Sequence, residues 1–245
     1  MNRQRRVAVV TGASAGIGAA TARELAGQGF EVVLGARRTD RISALARELD
    51  GRAQVLDVTS PQSVQAFAEQ VPEAAVLVNN AGLSRGLDPI EKGDERHWCE
   101  MIETNVLGLL RVTRALLPAL LKAPLAHIVN VGSVAGLEVY HGGGGYTATK
   151  HAVRAISQTL RIELVGRPVR VTEIDPGMVE TEFSLVRFDG DAARAKKVYE
   201  GLRPLWAEDV AQCIGFAISR PAHVNVDQMV VKPIAQATAT LVARK

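Results

Sequence analysis

Three side chains near the middle of the chain are of the types needed to move a proton to or from an oxygen atom. Tyr146 and Lys150 stand four positions apart, and Ser133 precedes the tyrosine by thirteen. On a helix, residues i and i+4 share a face, so the phenol and the ammonium would point into the same space. A free tyrosine has a pKa of about 10, and a nearby cation favours its phenolate. The spacing predicts a tyrosine acid/base assisted by Lys150, with the Ser133 hydroxyl holding a carbonyl oxygen as charge develops on it.

A second group of residues, near the N-terminus, is suited to binding a dinucleotide. The first apolar run leads into a turn, which a helical pattern follows, and the turn reads Thr11-Gly12-Ala13-Ser14-Ala15-Gly16-Ile17-Gly18. Glycines let such a turn tighten and let a pyrophosphate approach the backbone, while the helix N-terminus offers unpaired N–H groups. This context favours a dinucleotide site over a glycine-rich turn without a ligand.

The end of the second apolar run indicates which dinucleotide would bind. NAD sites usually place an acidic residue about 20 residues beyond the glycines, on the ribose 2′-OH. Here Ala36 stands at that position, and Arg37 and Arg38 follow it. Because guanidinium groups bind phosphate bidentately, we expect NADP(H), with both arginines near the 2′-phosphate. The alternative is a solvated loop with Asp40 as a surface partner, an interpretation that fits Arg38 better than Arg37.

Alternating strand-like and helix-like segments must position these groups. Short runs, several of them almost continuously apolar, predict strands at 6–10, 31–36, 53–57, 75–79, 126–131, 169–174 and 225–231. Longer patterns predict helices at 16–28, 93–122, 146–165 and 208–219. Pro118 should kink or end the second helix near its C-terminal side. The repeated order predicts an α/β fold, a single doubly wound Rossmann domain over residues 1–245 with a seven-stranded, mostly parallel sheet and helices on both faces.

The least regular stretch follows the sixth predicted strand. It covers about 178–206, is charged, and contains a short helical pattern around 192–199. Long excursions at the carboxyl edge of a sheet are typical of binding-site lids. We therefore expect this segment to be a substrate lid.

Composition and charge exclude several classes of protein. Hydrophobic residues make up 47% and charged residues 22%, values that argue against disorder. The net charge is only +3, and there is no basic block beyond Arg3, Arg5 and Arg6, so nucleic-acid binding is not expected. Cys99 and Cys213 are far apart and form neither a disulfide framework nor a metal motif, so we expect buried thiols, a reducing compartment and no metal. Without an apolar run of about 18 residues, a cytoplasmic protein with no membrane partner is predicted.

With these motifs in place, the whole chain resembles the short-chain dehydrogenase/reductase family. The matching residues are Thr11-Gly12-x-x-x-Gly16-x-Gly18, Asp57, Asn79-Asn80-Ala81-Gly82, Asn105, Ser133, Tyr146-x-x-x-Lys150 and Pro176-Gly177-x-x-x-Thr181. The resemblance implies hydride transfer between a nicotinamide and a carbonyl or alcohol. It also implies a catalytic tetrad, made of Asn105, Ser133, Tyr146 and Lys150. In this tetrad Asn105 would anchor a water that relays protons to Lys150.

The resemblance further implies how the cofactor is bound. Asp57 and Val58 would contact the adenine, and Val179 and Thr181 would hold the nicotinamide carboxamide. The complete expected cofactor set is Gly12, Ser14, Gly16, Ile17, Gly18, Arg37, Arg38, Asp57, Val58, Asn80, Ala81, Gly82, Tyr146, Lys150, Pro176, Gly177, Val179 and Thr181.

Two segments narrow the expected substrate. Ketoacyl-carrier-protein reductases end with a Thr-Gly-Gln segment leading to Val-Asp-Gly-Gly, which the sequence at 220–236 does not match. Together with the lid residues at 182–188, this difference makes the chain look like the NADP-dependent serine/3-hydroxy acid dehydrogenases. Members of that group oxidise serine, allo-threonine or 3-hydroxypropionate, and some relatives reduce small anionic aldehydes. An anionic substrate needs a cation, and we expect Arg187 to bind its carboxylate beside Ser133 and Tyr146. Arg85 is a weaker candidate, and a solvated surface arginine is the alternative for both.

Other functions remain open at this point. His141 is followed by four glycines, which supply few side chains to define a pocket, so a broad-specificity ketone/aldehyde reductase of secondary metabolism is the main alternative. A non-catalytic NADP-binding sensor would not need the tetrad, and the glycine spacing differs from that of family epimerases and dehydratases. The family usually forms homodimers or homotetramers through its long helices, and we expect the same here, with the apolar tail 234–242 as a possible part of the interface.

Overall fold

A single parallel sheet forms the centre of the molecule. The computed structural model describes residues 5–245, so Arg3 of the N-terminal arginine group lies outside the described residues. The strands are β1 Val7–Thr11, β2 Glu31–Ala36, β3 Arg52–Val55, β4 Val76–Asn79, β5 Ala126–Val131, β6 Val169–Pro176 and β7 Gln228–Val231. Their order is β3-β2-β1-β4-β5-β6-β7, and every neighbouring pair is parallel. The predicted fold class is confirmed, and the sheet is wholly rather than mostly parallel.

The strand order determines where a ligand can bind. Successive crossovers run from β1 towards β3 on one side and from β4 towards β7 on the other, so the order reverses between β1 and β4. Open parallel sheets bind ligands at such a switch point, beyond the carboxyl ends of the strands. The glycine turn that follows β1 and the segment that follows β4 both lie at this position.

Five strands differ from the sequence prediction at one or both ends, and for the third and seventh strands side chains explain the difference. The third strand ends at Val55 rather than at 57, because the Asp57 carboxylate accepts both the N–H and the hydroxyl of Thr59 and turns the chain. The seventh begins at Gln228 rather than at 225. There the Asn225 side chain pairs with both the N–H and the carbonyl of Val171, which replaces backbone pairing with β6.

Nine helices are described in residues 5–245. They are α1 Gly16–Gly27, α2 Thr39–Leu49, α3 Pro61–Glu69, α4 Glu95–Ile102, α5 Leu109–Leu120, α6 Gly144–Glu163, α7 Phe183–Arg187, α8 Ala192–Lys197 and α9 Ala207–Ile218. α1 packs against α9, and α3 packs against α5. Val9 and Val10 point to opposite faces of the sheet and are both fully buried, so helices cover both faces.

The helix predicted at 93–122 is not continuous, and that prediction is wrong. α4 begins at Glu95 with Asp94 as its N-cap, and the wide π turn Glu103–Gly108 separates it from α5. A Cβ on Gly108 would stand 2.8 Å from Val58, so the turn brings the helix close against the segment after β3. Pro118 lies within α5, which ends at Leu120, close to the end that the proline predicts.

The segment 178–206 leaves the sheet and returns to the same place. Leu205 donates its N–H to the Met178 carbonyl and accepts the N–H of Glu180, both at 2.9 Å. Between these ends lie α7 and α8, the second of which matches the predicted short helix. We call this segment the lid segment below.

The expectations about membrane-spanning helices, metal sites and cysteine burial can be compared with the structure. Within residues 5–245, no helix combines the length and apolar character needed to cross a membrane. The same residues include no group of three or more His, Cys, Asp or Glu side chains arranged to hold a metal. Cys99 is exposed and Cys213 is half-buried, so the expectation of two buried thiols is wrong, because the side chain of Cys99 on α4 faces solvent.

Candidate active site

A cavity of about 710 Å³ opens at the carboxyl ends of the central strands. Every residue that sequence reasoning assigned to the cofactor, to catalysis or to the substrate lines this cavity, with two exceptions. Gly18 and Asn105 are the exceptions, and both support residues that do line it. The predicted set is therefore spatially one site.

The turn after β1 has the geometry of a phosphate-binding loop. Gly12 and Gly16 have φ values of +64° and +53°, in the left-handed region that favours glycine. A Cβ on Gly18 would overlap the Gly12 carbonyl oxygen and stand 2.5 Å from Asn80 Nδ2. α1 then begins at Gly16 without a side-chain cap from Ala15, so its first N–H groups are available to an anion. These features fit the pyrophosphate of a dinucleotide.

Thr11, at the end of β1, and Asn80, just after β4, hold this turn in place. Asn80 Nδ2 donates to the carbonyls of Thr11 and Gly12, at 2.9 and 3.2 Å. Thr11 Oγ1 accepts the N–H groups of Asn80 and Ala81, both at 3.0 Å. The Asn80 side chain thus supports the loop, and Thr11 is a supporting residue that we had not assigned to the site.

The arginines after β2 differ in their partners. Arg38 donates to Ser14 Oγ at 3.0 Å and to Glu182 at 2.7 Å, and Arg41 donates to the other Glu182 oxygen at 2.7 Å. These bonds from Arg38 and Arg41 lower the pKa of Glu182. Among the described residues Arg37 pairs with no carboxylate, although it lines the cavity. Of the two predicted arginines, Arg37 is therefore the one with a guanidinium available to a phosphate.

α6 places Tyr146 and Lys150 on the cavity opposite Ser133. Lys150 Nζ donates to the Val131 carbonyl at 2.8 Å and lies 5.9 Å from the centre of the Tyr146 ring. Burial lowers the pKa of Lys150 to about 8. Burial raises the pKa of Tyr146, and the opposing effects come from the Arg187 guanidinium and the Ser133 hydroxyl. In this structure the cation that favours the Tyr146 phenolate is therefore Arg187 rather than the predicted Lys150.

Asn105 lies in the π turn and its side chain is enclosed. Oδ1 accepts the Leu83 N–H at 2.8 Å, and Nδ2 donates to the Leu83 carbonyl at 2.8 Å and to Thr149 Oγ1 at 3.1 Å. The side chain thereby joins the segment after β4 to α6 at Thr149, the residue before Lys150. The side chain does not line the cavity. π turns of this kind often occur at functional sites.

Arg187 is the lid-segment residue that approaches Tyr146. Its guanidinium carbon lies 5.2 Å from the centre of the Tyr146 ring and 5.1 Å from that of Phe183, and Nε donates to Ser84 Oγ at 3.1 Å. Arg187 forms no ion pair with any residue in 5–245. Burial raises the pKa of Tyr140, and Arg187 opposes this rise as well. The substrate end of the cavity thus presents one positive charge between two phenols.

Arg85 lies nearby but is neutralised. It donates to both carboxylate oxygens of Glu100, at 2.8 and 3.0 Å, and to Asp189 at 2.9 Å. It also donates to the Val186 carbonyl at 2.9 Å. These bonds fasten the lid segment to α4, which matches the view of Arg85 as the weaker substrate candidate.

The glycine run at 142–145 does not widen the cavity. A Cβ on Gly143 would stand 2.5 Å from the Tyr140 ring, and a Cβ on Gly145 would stand 2.6 Å from Met101 and 2.7 Å from Trp98. Larger side chains therefore fill the space that the glycines leave, and His141 is exposed to solvent outside the cavity. Tyr140 is the substrate-side residue that sequence reasoning missed, and the glycine run after it was the available signal.

The C-terminal tail also borders the site. Gln236 Oε1 accepts the Met178 N–H at 2.8 Å, and Ala239 donates its N–H to Glu138 at 2.7 Å. Gln236, Ala239 and Thr240 line the cavity. Ile234 at the start of the tail is fully exposed. The tail therefore closes part of the cavity, a position that its apolar composition did not indicate.

Comparisons with known proteins agree with this geometry. A sulfoacetaldehyde reductase of Chromohalobacter salexigens is 44% identical over 94% of this chain and 95% of its own length. An NADP-dependent 3-hydroxy acid dehydrogenase of Salmonella typhi is 41% identical over 96% and 98%. The solved structure of a serine dehydrogenase in its closed form with NADP⁺ has a TM-score of 0.92 and 39% identity, covering 98% of this chain and 99% of that one.

The family assignment follows from the sequence as well as from the fold. The family model described as short chain dehydrogenase matches residues 6–190, which contain the glycine turn, Ser133, Tyr146 and Lys150. Members act as oxidoreductases on CH–OH groups, and the relatives above share this chemistry. The chain belongs to the short-chain dehydrogenase family and is an oxidoreductase.

Proposed function

We propose that the protein transfers a hydride between NADP(H) and a small hydroxy acid of the serine, allo-threonine or 3-hydroxypropionate type, or its carbonyl counterpart. The observation that carries this proposal is the Arg187 guanidinium, which has no carboxylate partner among the described residues and lies 5.2 Å from the Tyr146 ring centre. A half-buried, unneutralised cation beside the candidate acid/base favours an anionic substrate. Relatives that act on a 3-hydroxy acid, on serine and on a sulfonated aldehyde support the same class.

The cofactor preference rests on Arg37. The turn at 12–18 provides the backbone N–H groups and left-handed glycines that a pyrophosphate requires. Arg37 lines the adenosine end of the cavity without a carboxylate partner, where NAD-binding chains usually carry an acid. When bound, the nicotinamide supplies or accepts the hydride. Asp57, Val58, Val179 and Thr181 line the parts of the cavity where the adenine and the carboxamide would lie.

The residues of the chain divide the remaining work. Tyr146 Oη donates a proton to the carbonyl oxygen during reduction and removes it from the hydroxyl during oxidation. The Ser133 hydroxyl donates a hydrogen bond to the same oxygen as negative charge develops there. Arg187 is the cation that favours the phenolate, and Lys150 contacts the ribose. Arg187 orients the substrate through its carboxylate or sulfonate, and Asn105 supports Lys150 through the π turn and Thr149.

The broad-specificity reductase is the less well supported alternative. Its main argument was the glycine run, but Tyr140, Trp98 and Met101 occupy the space beside these glycines. A charged Arg187 would also lose part of its hydration against a bulky apolar ketone, which disfavours such a substrate. A non-catalytic sensor would not need Ser133, Tyr146 and Lys150 to meet at one cavity.

A substrate panel tests the proposal. NADP⁺ reduction is measured with L- and D-serine, allo-threonine, 3-hydroxypropionate and uncharged secondary alcohols of matched size, with NAD⁺ in parallel. We expect turnover on the acids with NADP⁺, and kcat/KM values for the uncharged alcohols at least about tenfold lower. Activity on bulky alcohols together with none on the acids would transfer the proposal to the alternative. Equal use of NAD⁺ would contradict the assignment of Arg37.

We also propose that the protein is a homodimer or homotetramer. Apolar side chains on the long helices are exposed in the single chain, among them Ile102 at 47%, Leu110 at 41% and Ile162 at 74%. Surfaces of this kind are commonly covered by a second copy. Light scattering gives the mass in solution, and a monomer at micromolar concentration would contradict this proposal.

A further inference from the structure

Two acidic side chains lie buried behind the candidate active site, and the mechanism above does not use them. Glu173 and Asp175 follow one another on the same face of β6, and their exposed fractions are 1% and 0%. A Cβ on Gly132 would overlap Asp175 Oδ1 and stand 2.7 Å from Glu173 Oε1. The two carboxyl groups are therefore neighbours, and glycine at the position before Ser133 leaves them the space.

Asp175 is bonded directly to Ser133. Its Oδ1 accepts the backbone N–H of Ser133 at 2.9 Å, and its Oδ2 accepts Nε2 of Gln228 on β7 at 2.6 Å. Hydrogen bonds to an ionised carboxylate are roughly twice as strong as those between neutral groups. The contact therefore fixes the backbone of Ser133, and with it the position of the Ser133 hydroxyl.

Glu173 lacks such partners. Neither of its carboxyl oxygens has a hydrogen-bond donor among the described residues. Burial, followed by the charge of Asp175, raises the pKa of Glu173. Burial also raises the pKa of Asp175, but the bonds from Gln228 and the Ser133 N–H oppose that rise. A protonated Glu173 can donate to Asp175, so the pair favours one proton and one negative charge.

We propose that Asp175 is a positioning residue of the active site, which holds Ser133 by its backbone and places a single negative charge behind the reacting groups. Glu173 is the neutral donor that keeps this charge single. Neither residue touches the substrate in this proposal. The inference concerns the acid/base machinery and holds for whichever alcohol the enzyme oxidises.

The charge acts on groups from each element packed against it. Lys150 and Tyr146 face it from α6, Gln228 faces it from β7, and Arg161 of α6 faces Glu173. Asp175 acts to raise the pKa of both Lys150 and Tyr146. Removing the negative charge of Asp175 therefore lowers the pKa of each group.

The direct test is the ionisation of Tyr146 in Asp175→Asn and Glu173→Gln. The chain has three tyrosines, so the absorbance of each protein minus that of its Tyr146→Phe counterpart reports the Tyr146 phenolate without any substrate. In Asp175→Asn the titration should begin at least about half a pH unit lower, because one nearby charge is lost. In Glu173→Gln it should move less, because the carboxylate whose charge raises the pKa of Tyr146 is that of Asp175.

Turnover gives a second readout. With any substrate that the enzyme oxidises, Asp175→Asn should lower kcat by roughly tenfold, because the charge-assisted bond to Ser133 is weakened. The acidic limb of the kcat profile should shift to lower pH, because the negative charge that raises the pKa of Tyr146 is lost. The NADPH dissociation constant should change by less than about threefold, because the cofactor contacts are untouched. If no hydroxy acid is oxidised, the proposed substrate class fails while the phenolate titration still tests Asp175.

Thr172→Val is the matched control on the same strand. Thr172 is fully buried on the opposite face of β6 and donates to the Val226 carbonyl at 2.7 Å, so its loss lowers stability without affecting Tyr146. Should Asp175→Asn not fold, Gln228→Leu removes one donor to Asp175 and should shift the titration in the same direction. An unmoved titration in the folded Asp175 or Gln228 variant, or an equal shift in Glu173→Gln, would overturn the proposal.

Discussion

Replacing Arg187 by methionine should separate anionic from uncharged substrates. The guanidinium contacts Ser84, lies over the Tyr146 and Phe183 rings, and has no carboxylate partner in the described part of the chain. A hydrogen bond to a charged group contributes about 1.5–3 kcal/mol, so kcat/KM for a hydroxy acid should fall by roughly 10- to 150-fold. For an uncharged alcohol of similar size, the expected change is less than about threefold at pH values where Tyr146 is ionised in both enzymes.

A second effect of this substitution must be separated from the first. Arg187 lowers the pKa of Tyr146, so its removal raises that pKa. The oxidation rate, which needs the phenolate, then loses activity at low pH and recovers as the pH rises. Because this shift affects every substrate equally, the ratio of kcat/KM between acid and alcohol, measured across the pH range, isolates the carboxylate contact.

Arg85→Met is the matched control. Arg85 lines the same cavity, but Glu100 and Asp189 already neutralise it. Its loss should lower the thermal stability of the lid segment and leave the ratio between acid and alcohol within about twofold, because a paired charge attracts an anion weakly. An Arg187→Met enzyme that loses equal activity on both substrate classes would refute the role of Arg187 in binding a carboxylate.

Three further variants test the cofactor and acid/base assignments. Tyr146→Phe should lower kcat by roughly 10²- to 10⁴-fold with NADPH binding nearly unchanged by fluorescence, and a variant that retains a tenth of the activity would exclude Tyr146 as the acid. Arg37→Ala should weaken NADPH binding by about tenfold or more and leave NADH unaffected, since only the former carries the 2′-phosphate; equal losses would contradict the assignment. Gly18→Ala should lower both the melting temperature and NADPH affinity, because its Cβ would overlap the Gly12 carbonyl. Gly27→Ala, on the same helix, should do neither, because a Cβ there has no neighbour within 4 Å.

Local patterns explain why much of this fold and site could be predicted. Strands such as β1, which is buried along almost its whole length, leave an almost continuous apolar run. The Tyr146–Lys150 spacing requires only that the segment be helical for both side chains to share a face. The glycine turn is similarly local, because its left-handed residues and the helix that follows are adjacent in the chain.

The features that were missed depend on contacts between distant segments. The π turn at Glu103–Gly108 brings Gly108 against Val58 across the fold, while the apolar spacing around it remains that of an ordinary helix. Tyr140 belongs to the site because its ring rests on Gly143, and Asp175 because Gly132 leaves it space beside Ser133. No periodicity within one segment carries such information.

The pairing of the cavity arginines provides a physical criterion for which of them meet a ligand. Arg38 shares Glu182 with Arg41, and Arg85 is neutralised by Glu100 and Asp189, so these six charged groups already pair with one another. A cation left without a counter-charge at a partly enclosed surface costs free energy that an incoming anion recovers. Within residues 5–245, three arginines that line the cavity have no carboxylate partner. They are Arg37, Arg187, which lies beside Tyr146, and Arg244, which donates only to the backbone carbonyls of Glu200 and Val198. The proposed complex of NADP(H) with a hydroxy acid would bring one anion to Arg37 and another to Arg187, whereas NAD(H) with a neutral alcohol would bring an anion to neither.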